Sequence, residues 1–256
     1  MPSVRTANYD AIASGYDRRY GLHEYAGVRD ALDNFLESGS SSAAVLDVGC
    51  GTGHWLAMAT GRRLAAGIDP SAEMIGRVRA AAPQAHLVRG AAERLPWRNA
   101  SFDRVYCVNA LHHFRDRARF FAEARRVLRP GGGLLTIGKD PHAERDSWWV
   151  YDYFPETVGI DRERFARVRT LRGELAAAGF AWAESFECDR IEASIPAGEA
   201  LTTGIVDRAY TSQLAVLSDE EFAAGVARIR EADAAAPHGL QLVTDFNLFA
   251  TVGWVG

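Results

Sequence analysis

The stretch that decides the fold reads Val45-Leu46-Asp47-Val48-Gly49-Cys50-Gly51-Thr52-Gly53. Its apolar first half is typical of a buried strand, and glycine then occupies every second position. Glycine adopts positive φ angles and lets the backbone approach a ligand closely, and a helix that starts after such a turn points its amides at that ligand. The stretch therefore predicts a strand followed by a ligand-binding turn; the alternative is a tight turn that binds nothing.

The glycine spacing separates two kinds of nucleotide site. A dinucleotide-binding fingerprint requires glycine at positions 49, 51 and 54, but position 54 is His54. Asp69 closes the next apolar run, 20 residues after Gly49, where a carboxylate can accept hydrogen bonds from both hydroxyls of a ribose. Asp69 thus predicts adenosine binding without deciding the cofactor, and its alternative role is to cap a helix.

Between residues 43 and 138 short apolar runs alternate with longer amphipathic ones, which predicts a doubly wound, mostly parallel α/β fold. The predicted strands are Ala44–Val48, Leu64–Ile68, His86–Val88, Arg104–Val108 and Gly133–Ile137. The predicted helices are Trp55–Thr60, Ala72–Ala82 and Ala118–Leu128. Ser71 is a candidate N-cap, and Pro130–Gly133 predicts the turn into the last strand.

The flanking segments carry weaker patterns. Residues 5–38 predict helices, and the serine-rich residues 38–42 predict a linker. Beyond residue 139 we expect a helix near 163–178, a strand near 180–190, helices over about 199–235 and a final strand around 240–253.

Composition argues against several functional classes. Lys and Arg number 29 against 33 Asp and Glu, so no global positive field favours nucleic acid. The arginines at 115–119 and 125–126 predict a solvated helix face, with a phosphate-binding patch as the alternative. Three separated cysteines predict neither a disulfide framework nor a zinc site, and we expect no metal. Because no apolar run approaches ~20 residues, we expect a cytoplasmic protein without a membrane partner.

Four further motifs follow the glycine turn in a fixed order: Gly90–Trp97, Ser101–Val105, Asn109–Phe114 and Arg126–Gly132. With the turn and Asp69 they resemble the class I S-adenosylmethionine-dependent methyltransferases, in particular the UbiE-like small-molecule group of type 11. The resemblance covers about 43–138. It implies a seven-stranded Rossmann-like sheet with an antiparallel final hairpin, and S-adenosylmethionine as the cofactor, converted to S-adenosylhomocysteine.

The resemblance also implies cofactor contacts. The glycine turn holds the methionine part and the ribose, the segment at Ala92 lies against adenine, and backbone groups at Asn109 meet the ammonium. Family members commonly have an Asp where this sequence has Ala91, so that contact to adenine is either absent here or supplied by another group. The predicted cofactor residues are Tyr16, Asp47, Gly49, Cys50, Gly51, Gly53, Asp69, Pro70, Met74, Ala92, Glu93 and Asn109.

The N-terminal stretch Tyr9–Asp17 resembles the family's lid helix, in which the second tyrosine, here Tyr16, reaches the carboxylate end of the cofactor; helix packing is its alternative role. We therefore expect one structural domain with three functional parts. These are an N-terminal helical lid over 1–42, a cofactor-binding core over 43–138, and a segment over 139–256 that completes the sheet and carries a substrate cap.

His112 and His113 are the candidate catalytic bases, because imidazole titrates near neutrality and both follow the predicted fourth strand. Either one can instead cap or pack under the next helix, and Tyr20, His23 and Glu24 are further candidates. The predicted substrate pocket comprises Tyr20, Trp148, Trp149 and Tyr153, with Tyr151 and Phe154 beside them. These aromatic residues either form a wall for a planar acceptor or pack the cap onto the sheet.

The predicted function is methyl transfer from S-adenosylmethionine to a small molecule, such as an aromatic natural product or a quinone-like compound. A methyltransferase-like protein that binds the cofactor for a non-methylating reaction or a regulatory role is the alternative, because every motif concerns cofactor binding. An NAD-dependent oxidoreductase is a remote alternative. The sequence does not indicate an oligomeric state.

Overall fold

The computed structural model describes residues 5–39, 42–143 and 146–256. Its strands are β1 (Ala44–Val48), β2 (Leu64–Asp69), β3 (His86–Arg89), β4 (Phe102–Val108), β5 (Leu128–Gly138), β6 (Ser147–Trp148), β7 (Trp182–Pro196) and β8 (Gln241–Trp254). Its helices are α1 (Tyr9–Ile12), α2 (Arg18–Leu22), α3 (Ala26–Glu37), α4 (Ala72–Ala81), α5 (Arg117–Val127), α6 (Trp149–Tyr153), α7 (Glu156–Arg164), α8 (Val168–Ala177), α9 (Ala197–Thr203), α10 (Ser212–Ala215) and α11 (Asp219–Ala235).

The chain divides into two compact units. The sheet unit comprises Ala26–Asp140, Ala166–Asp189 and Leu248–Gly256. The helical unit comprises the chain up to Tyr25 together with Pro141–Phe165 and Arg190–Asn247. The division of the sequence into a lid, a cofactor-binding core and a segment with a substrate cap stays a prediction.

In the sheet unit the strands follow the order β3-β2-β1-β4-β5-β8. The first five are parallel and β8 runs antiparallel to β5. Each residue of β1 is buried, as expected for a parallel strand covered on both faces. The sheet thus confirms the α/β class. It also brings the carboxyl ends of β1, β2 and β4 to one edge, where open α/β sheets bind ligands.

The number of strands differs from the expected seven, since the described residues form eight. The additional strand is the two-residue β6, which pairs with the first half of β8 inside the helical unit. The predicted antiparallel partner of the last strand is β7, which pairs with β8. Ser185 bonds to Thr251 in the sheet unit and Ser194 to Gln241 in the helical unit, so β7 and β8 run in opposite directions.

Two predicted boundaries in the sheet unit are wrong. The predicted helix Trp55–Thr60 is a 3₁₀ turn over Leu56–Ala59, because Thr60 is already extended and Gly61 turns the chain at φ 89° towards β2. Pro130–Gly133 does not precede the fifth strand but lies within it. Leu128 pairs with Phe102 and Gly133 with Arg104, so the intervening residues bulge out of the ladder.

The predicted flanking helices are divided. The stretch 5–38 holds α1, α2 and α3, and residues 40 and 41 of the predicted linker lie outside the described residues. The predicted helix 163–178 is two helices, because α7 ends before Phe165 and Asp140 accepts a hydrogen bond from the Val168 amide as α8 begins. Residues 199–235 also divide, since α9 ends at a left-handed Gly204 and α11 starts at a capping box on Ser218.

Each unit has its own apolar core. In the sheet unit Leu46, Val105 and Phe120 are fully buried between the strands and the flanking helices. In the helical unit the core contains Trp149, Phe154, Leu214, Ile229 and Leu242. Burial on this scale, at about 25 cal/mol per Å² of apolar surface, is the main source of stability in each unit.

The arginines of α5 are exposed or partly exposed, as their spacing predicts, but two of them also bind neighbouring segments. Arg117 makes two hydrogen bonds to Glu174 of α8, at 2.8 and 2.9 Å. Arg126 donates to the carbonyl oxygens of Leu95 and Trp97 at 2.9 and 2.8 Å, and thereby holds the segment after β3. These side chains have structural partners that helical spacing alone does not reveal.

Within the part of the chain that the structure describes, none of the helices has the length and the apolar character that crossing a membrane requires.

Candidate functional site

The glycine turn after β1 is shaped by three positive φ angles. Gly49, Gly51 and Gly53 have φ of 76°, 52° and 88°, which side chains rarely tolerate. A Cβ at Gly49 would lie 2.4 Å from the Ala110 Cβ, and one at Gly53 would lie 2.7 Å from Val78 Cγ1. The turn is therefore restricted to glycine by both its backbone angles and its neighbours.

Asp69 holds this turn from the end of β2. Its Oδ2 accepts a hydrogen bond from the Gly51 amide at 3.0 Å, and its Oδ1 accepts one from the Ser71 amide at 2.9 Å. Ser71 then caps α4, as predicted, by accepting from the Met74 amide at 3.1 Å. The carboxylate is thus fixed in orientation at the edge where the ribose is expected.

Asp47 is a buried acid beneath the same turn. It is 1% exposed, and its Oδ2 has no hydrogen-bond partner among the described residues. Burial raises its pKa well above the ordinary value, and the negative charge of Asp69 acts in the same direction, whereas a hydrogen bond from Tyr106 opposes the shift. A buried carboxylate is stabilised by a neighbouring cation.

These two acids allow a test of the expected cofactor. S-adenosylmethionine carries an ammonium and a sulfonium, whose positive charges suit the acidic environment of Asp47 and Asp69. The pyrophosphate of a dinucleotide would instead bring further negative charge beside two carboxylates that already repel each other. The residues present therefore fit S-adenosylmethionine.

Tyr106 is a site residue that was not predicted from the sequence. It lies opposite Asp47 in the register of β1 and β4 and is fully buried. Its single hydroxyl proton is shared between the Trp55 carbonyl, at 3.3 Å, and the Asp47 carboxylate, and burial raises the pKa of Tyr106 well above the ordinary value. The available signal was a tyrosine within the run Val105–Val108, whose other residues are apolar.

Cys50 faces inward from the turn and does not present its thiol to solvent. It is buried, and a Cβ at Gly67 would lie 2.9 Å from its sulfur. Burial, followed by the charges of Asp47 and Asp69, raises the pKa of the thiol. Cys50 thus contributes its backbone to the turn, where its amide donates to the Ile68 carbonyl at 3.1 Å.

Asn109 and the two histidines follow the end of β4. Asn109 has a positive φ of 52° and its amide donates to the Ile137 carbonyl at 2.8 Å. His112 and His113 belong to the 3₁₀ turn Leu111–His113, are half-buried, and have ring centroids 3.8 Å apart. Because Ala110 packs against Gly49, the histidine turn starts beside the glycine turn.

The segment after β3 has a structural role in addition to its predicted contact with adenine. Ala92 is buried in the core of the sheet unit. The Glu93 carboxylate accepts from the amides of Arg115 and Asp116 at 2.6 and 3.3 Å, and thereby holds the chain that follows the histidines. The Met74 side chain is fully buried under α4, and the Pro70 carbonyl accepts from Arg89 at 3.0 Å.

The remaining predicted residues belong to the helical unit. Tyr16 is buried against Tyr9, with ring centroids 5.6 Å apart, and the Arg19 guanidinium lies 3.8 Å from the centre of its ring. The Tyr20 hydroxyl accepts from Arg19 at 3.1 Å, and burial raises the pKa of Tyr20 to about 12. Burial lowers the pKa of His23. The roles of these residues at the cofactor or substrate stay predictions.

The aromatic residues predicted to line the substrate pocket differ in their burial. Trp148 and Trp149 are 5% and 1% exposed and belong to the core of the helical unit with Phe154. Tyr153 and Tyr151 pack against that core but keep partly exposed rings. Packing thus explains the positions of the two tryptophans, and their contact with a substrate stays a prediction.

Comparison with known proteins gives a consistent picture of the sheet unit. Residues 46–136 match the family model described as Methyltransferase domain, of type 11. The chain is 33% identical over 184 residues to the malonyl-[acyl-carrier protein] O-methyltransferase of Methylococcus capsulatus, covering 68% of this chain and 64% of that protein. It is 32% identical over 155 residues to the 27-O-demethylrifamycin SV methyltransferase of Amycolatopsis mediterranei, covering 52% and 57%.

The chain spans about half the length of the curated relatives it matches. A solved S-adenosylmethionine-dependent methyltransferase from Aquifex aeolicus has the same fold, with 19% identity, a TM-score of 0.54, and coverage of 71% of this chain and 93% of that chain. The matched segment contains the glycine turn, both acids and the histidine turn. The chain therefore carries a class I S-adenosylmethionine-dependent methyltransferase domain, with S-adenosylmethionine as its cofactor.

Proposed function

We propose that this protein transfers a methyl group from S-adenosylmethionine to a small-molecule acceptor. The observation that carries the proposal is the pair of buried acids under the glycine turn, of which Asp47 has an oxygen without a hydrogen-bond partner among the described residues. Asp69 would hold the ribose and Asp47 would face the ammonium. Backbone amides of the turn and of Asn109 would complete the contacts with the cofactor.

When bound, the cofactor supplies a methyl group that is already activated by a positively charged sulfur. The residues of the chain then have to hold an acceptor in line and exclude water, and such positioning is worth ~7–11 kcal/mol. Asp69 and the glycine turn contribute by fixing the donor side, because their hydrogen bonds and positive φ angles leave little freedom to move.

We propose further that the base, where the acceptor loses a proton, is His112 or His113. Their rings are in contact at the end of β4, half-buried and beside the glycine turn. A positioned base contributes ~10²–10⁴-fold to the rate. The double variant H112A/H113A should therefore lose at least about 100-fold in kcat while binding S-adenosylmethionine with unchanged affinity. Full turnover by a folded double variant would remove both histidines from the chemistry.

The proposed acceptor class is a small molecule, with an aromatic natural product or a quinone-like compound as the specific candidate. The two curated relatives compared above are named a malonyl-[acyl-carrier protein] O-methyltransferase and a 27-O-demethylrifamycin SV methyltransferase. The partly exposed rings of Tyr20 and Tyr153 are suited to contact a planar acceptor. The buried tryptophans add no support to the aromatic assignment.

The test is an acceptor screen with methyl-labelled S-adenosylmethionine and the full chain. Phenols, hydroquinones, aliphatic alcohols and carboxylic acids are offered in parallel, and labelled product is identified by mass spectrometry. The variant Asp69→Ala, assayed at the same cofactor concentration, controls for transfer by a contaminating enzyme. Labelled product that falls by about tenfold or more with this variant, at a cofactor concentration below the wild-type Kd, supports the proposal. Tight cofactor binding with acceptor turnover but no labelled product would favour the non-methylating alternative.

A further inference from the structure

A buried polar cluster in the helical unit contains none of the residues predicted to contact the cofactor, although its Arg19 packs on the predicted cofactor residue Tyr16. Arg164, at the end of α7, is 5% exposed. Its Nη2 donates to Asp161 Oδ1 at 2.6 Å, but its Nε and Nη1 have no hydrogen-bond partner within residues 5–39, 42–143 and 146–256. Most of the donors of a buried guanidinium are therefore left without an acceptor.

Asp161 does not fully compensate this charge. Its other oxygen, Oδ2, accepts from the Tyr151 hydroxyl at 2.7 Å and from Gln213 Nε2 at 2.9 Å. Gln213 is itself held by Thr211, whose hydroxyl donates to its side-chain oxygen. The carboxylate is thus shared among three donors and fixed in place, so it cannot turn to satisfy the rest of Arg164.

A second guanidinium adds positive charge to the same environment. Arg19 lies 3.8 Å from the centre of the Tyr16 ring, and its Nε also lacks a hydrogen-bond partner in the described part of the chain. Tyr9 contacts the Tyr16 ring, is hydrogen-bonded to Ser212 and interacts electrostatically with both guanidiniums. Both guanidiniums near Tyr9 therefore have donor atoms that lack an acceptor in the described part of the chain.

We infer that this group of residues, here called the Arg164 cluster (Tyr9, Arg19, Asp161, Arg164 and Ser212), binds the anionic group of a small molecule, a carboxylate or a phosphate. Guanidinium donors match the oxygens of both groups and bind them with charge-assisted hydrogen bonds. A neutral ligand group would offer fewer acceptor oxygens to the Nε and Nη1 donors of Arg164. Burial of the cluster selects a small ligand group over an extended polyanion.

The inference goes beyond methyl transfer, because anion binding in the helical unit requires neither S-adenosylmethionine nor turnover. It can therefore be tested separately. Isothermal titration calorimetry with the full chain and no cofactor would compare benzoate, phenyl phosphate and benzamide. These three ligands share an aromatic ring and differ in charge, so the comparison isolates the anionic group.

Saturable binding of benzoate or phenyl phosphate, with benzamide at least about tenfold weaker, is the expected result. The stronger of the two anions identifies the ligand group as a carboxylate or a phosphate. Equal affinity for all three ligands, or no binding of either anion, would overturn the inference. Measuring S-adenosylmethionine binding on the same preparation shows separately whether the proposed cofactor site is intact.

Variants locate the site. Arg164→Lys keeps a positive charge near Asp161 but removes the fork of donors, and should weaken anion binding at least about tenfold. The matched control is Arg162→Gln, which removes an exposed charge from the same helix and should leave affinity unchanged. Equal losses in both variants would show a general charge effect and contradict the site.

A second variant keeps the test decisive if Arg164→Lys does not fold. Tyr9→Phe retains both arginines and Asp161 and removes only the hydroxyl beside them. It should weaken the preferred anion by about threefold, as expected for the loss of one hydrogen bond. Unchanged anion affinity in folded Tyr9→Phe would exclude Tyr9 and would contradict the cluster as defined.

Discussion

The two units differ in the groups that create their candidate sites. In the sheet unit the site is made by backbone conformation and by two acids, Asp47 and Asp69. In the helical unit it is made by side chains, chiefly Arg164, Arg19 and Asp161. The comparison teaches that a cofactor bound through backbone turns leaves a spacing pattern in the sequence, whereas a ligand bound through side chains from distant segments does not.

The substitution with the largest expected effect disrupts the glycine turn of the sheet unit. Gly49→Ala places a Cβ 2.4 Å from Ala110 at a φ of 76°, so the turn has to change its path. We expect about 100-fold weaker S-adenosylmethionine binding by calorimetry. Gly76→Ala, in α4 with no atom within 4 Å of the added Cβ, is the matched control and should bind normally. Wild-type affinity in Gly49→Ala would mean that the turn does not contact the cofactor.

The next effect separates the stability of the helical unit from cofactor binding. A Cβ at Gly225 of α11 would lie 2.1 Å from the Phe154 ring, and overpacking of this kind costs about 2 kcal/mol. Gly225→Ala should lower the free energy of unfolding by this amount in urea denaturation. S-adenosylmethionine affinity of the folded variant should stay within about twofold of wild type. A loss of affinity as large as that of Gly49→Ala would remove the distinction between the units.

A smaller effect concerns the acid at the end of β2. Asp69→Ala removes two hydrogen bonds that hold the turn, from Gly51 and Ser71, together with the proposed contact to the ribose. We expect S-adenosylmethionine affinity to fall by about tenfold or more. The affinity of Asp69→Asn, which keeps one acceptor oxygen, should lie between those of wild type and Asp69→Ala. The control Asp30→Ala, on the exposed face of α3, should bind like wild type. Unchanged affinity in folded Asp69→Ala would exclude Asp69 from the site.

The smallest effect is a pH dependence that follows from Asp47. Burial raises the pKa of Asp47. Without cofactor, the contribution of protonated Asp47 to the free energy of unfolding is therefore complete below about pH 4, and it is lost as pH rises through the raised pKa. A bound ammonium lowers that pKa, so binding releases a proton and affinity increases with pH, by less than about tenfold per pH unit. Calorimetry in buffers of different ionisation enthalpy measures the released proton. Asp47→Asn should abolish the release, and a release that persists in this variant would contradict the assignment.

The sequence could predict the sheet unit because its pattern is local. Buried parallel strands produce continuous apolar runs, and the positive φ angles of the turn require glycine at Gly49, Gly51 and Gly53. The predicted helix Trp55–Thr60 was wrong because a single extended residue, Thr60, decides where the turn ends. The bulge after Leu128 depends on pairing with Phe102, which is a contact between strands and leaves no local pattern.

The site residues that spacing could not predict depend on three-dimensional neighbours. Tyr106 reaches Asp47 only through the register of β1 and β4. Asp161 meets Gln213, 52 positions later in the chain, and in the sequence Asp161 and Arg164 look like any exposed helical ion pair. Their burial, which gives them their chemical significance, comes from packing within the helical unit.

The central claim is that the glycine turn with Asp47 and Asp69 is an S-adenosylmethionine site. The most direct measurement is isothermal titration calorimetry of the purified protein with S-adenosylmethionine, S-adenosylhomocysteine and NAD. The account predicts saturable binding of the first two and none of NAD. Binding of NAD without binding of S-adenosylmethionine, or no binding of any of the three by folded protein, would contradict it.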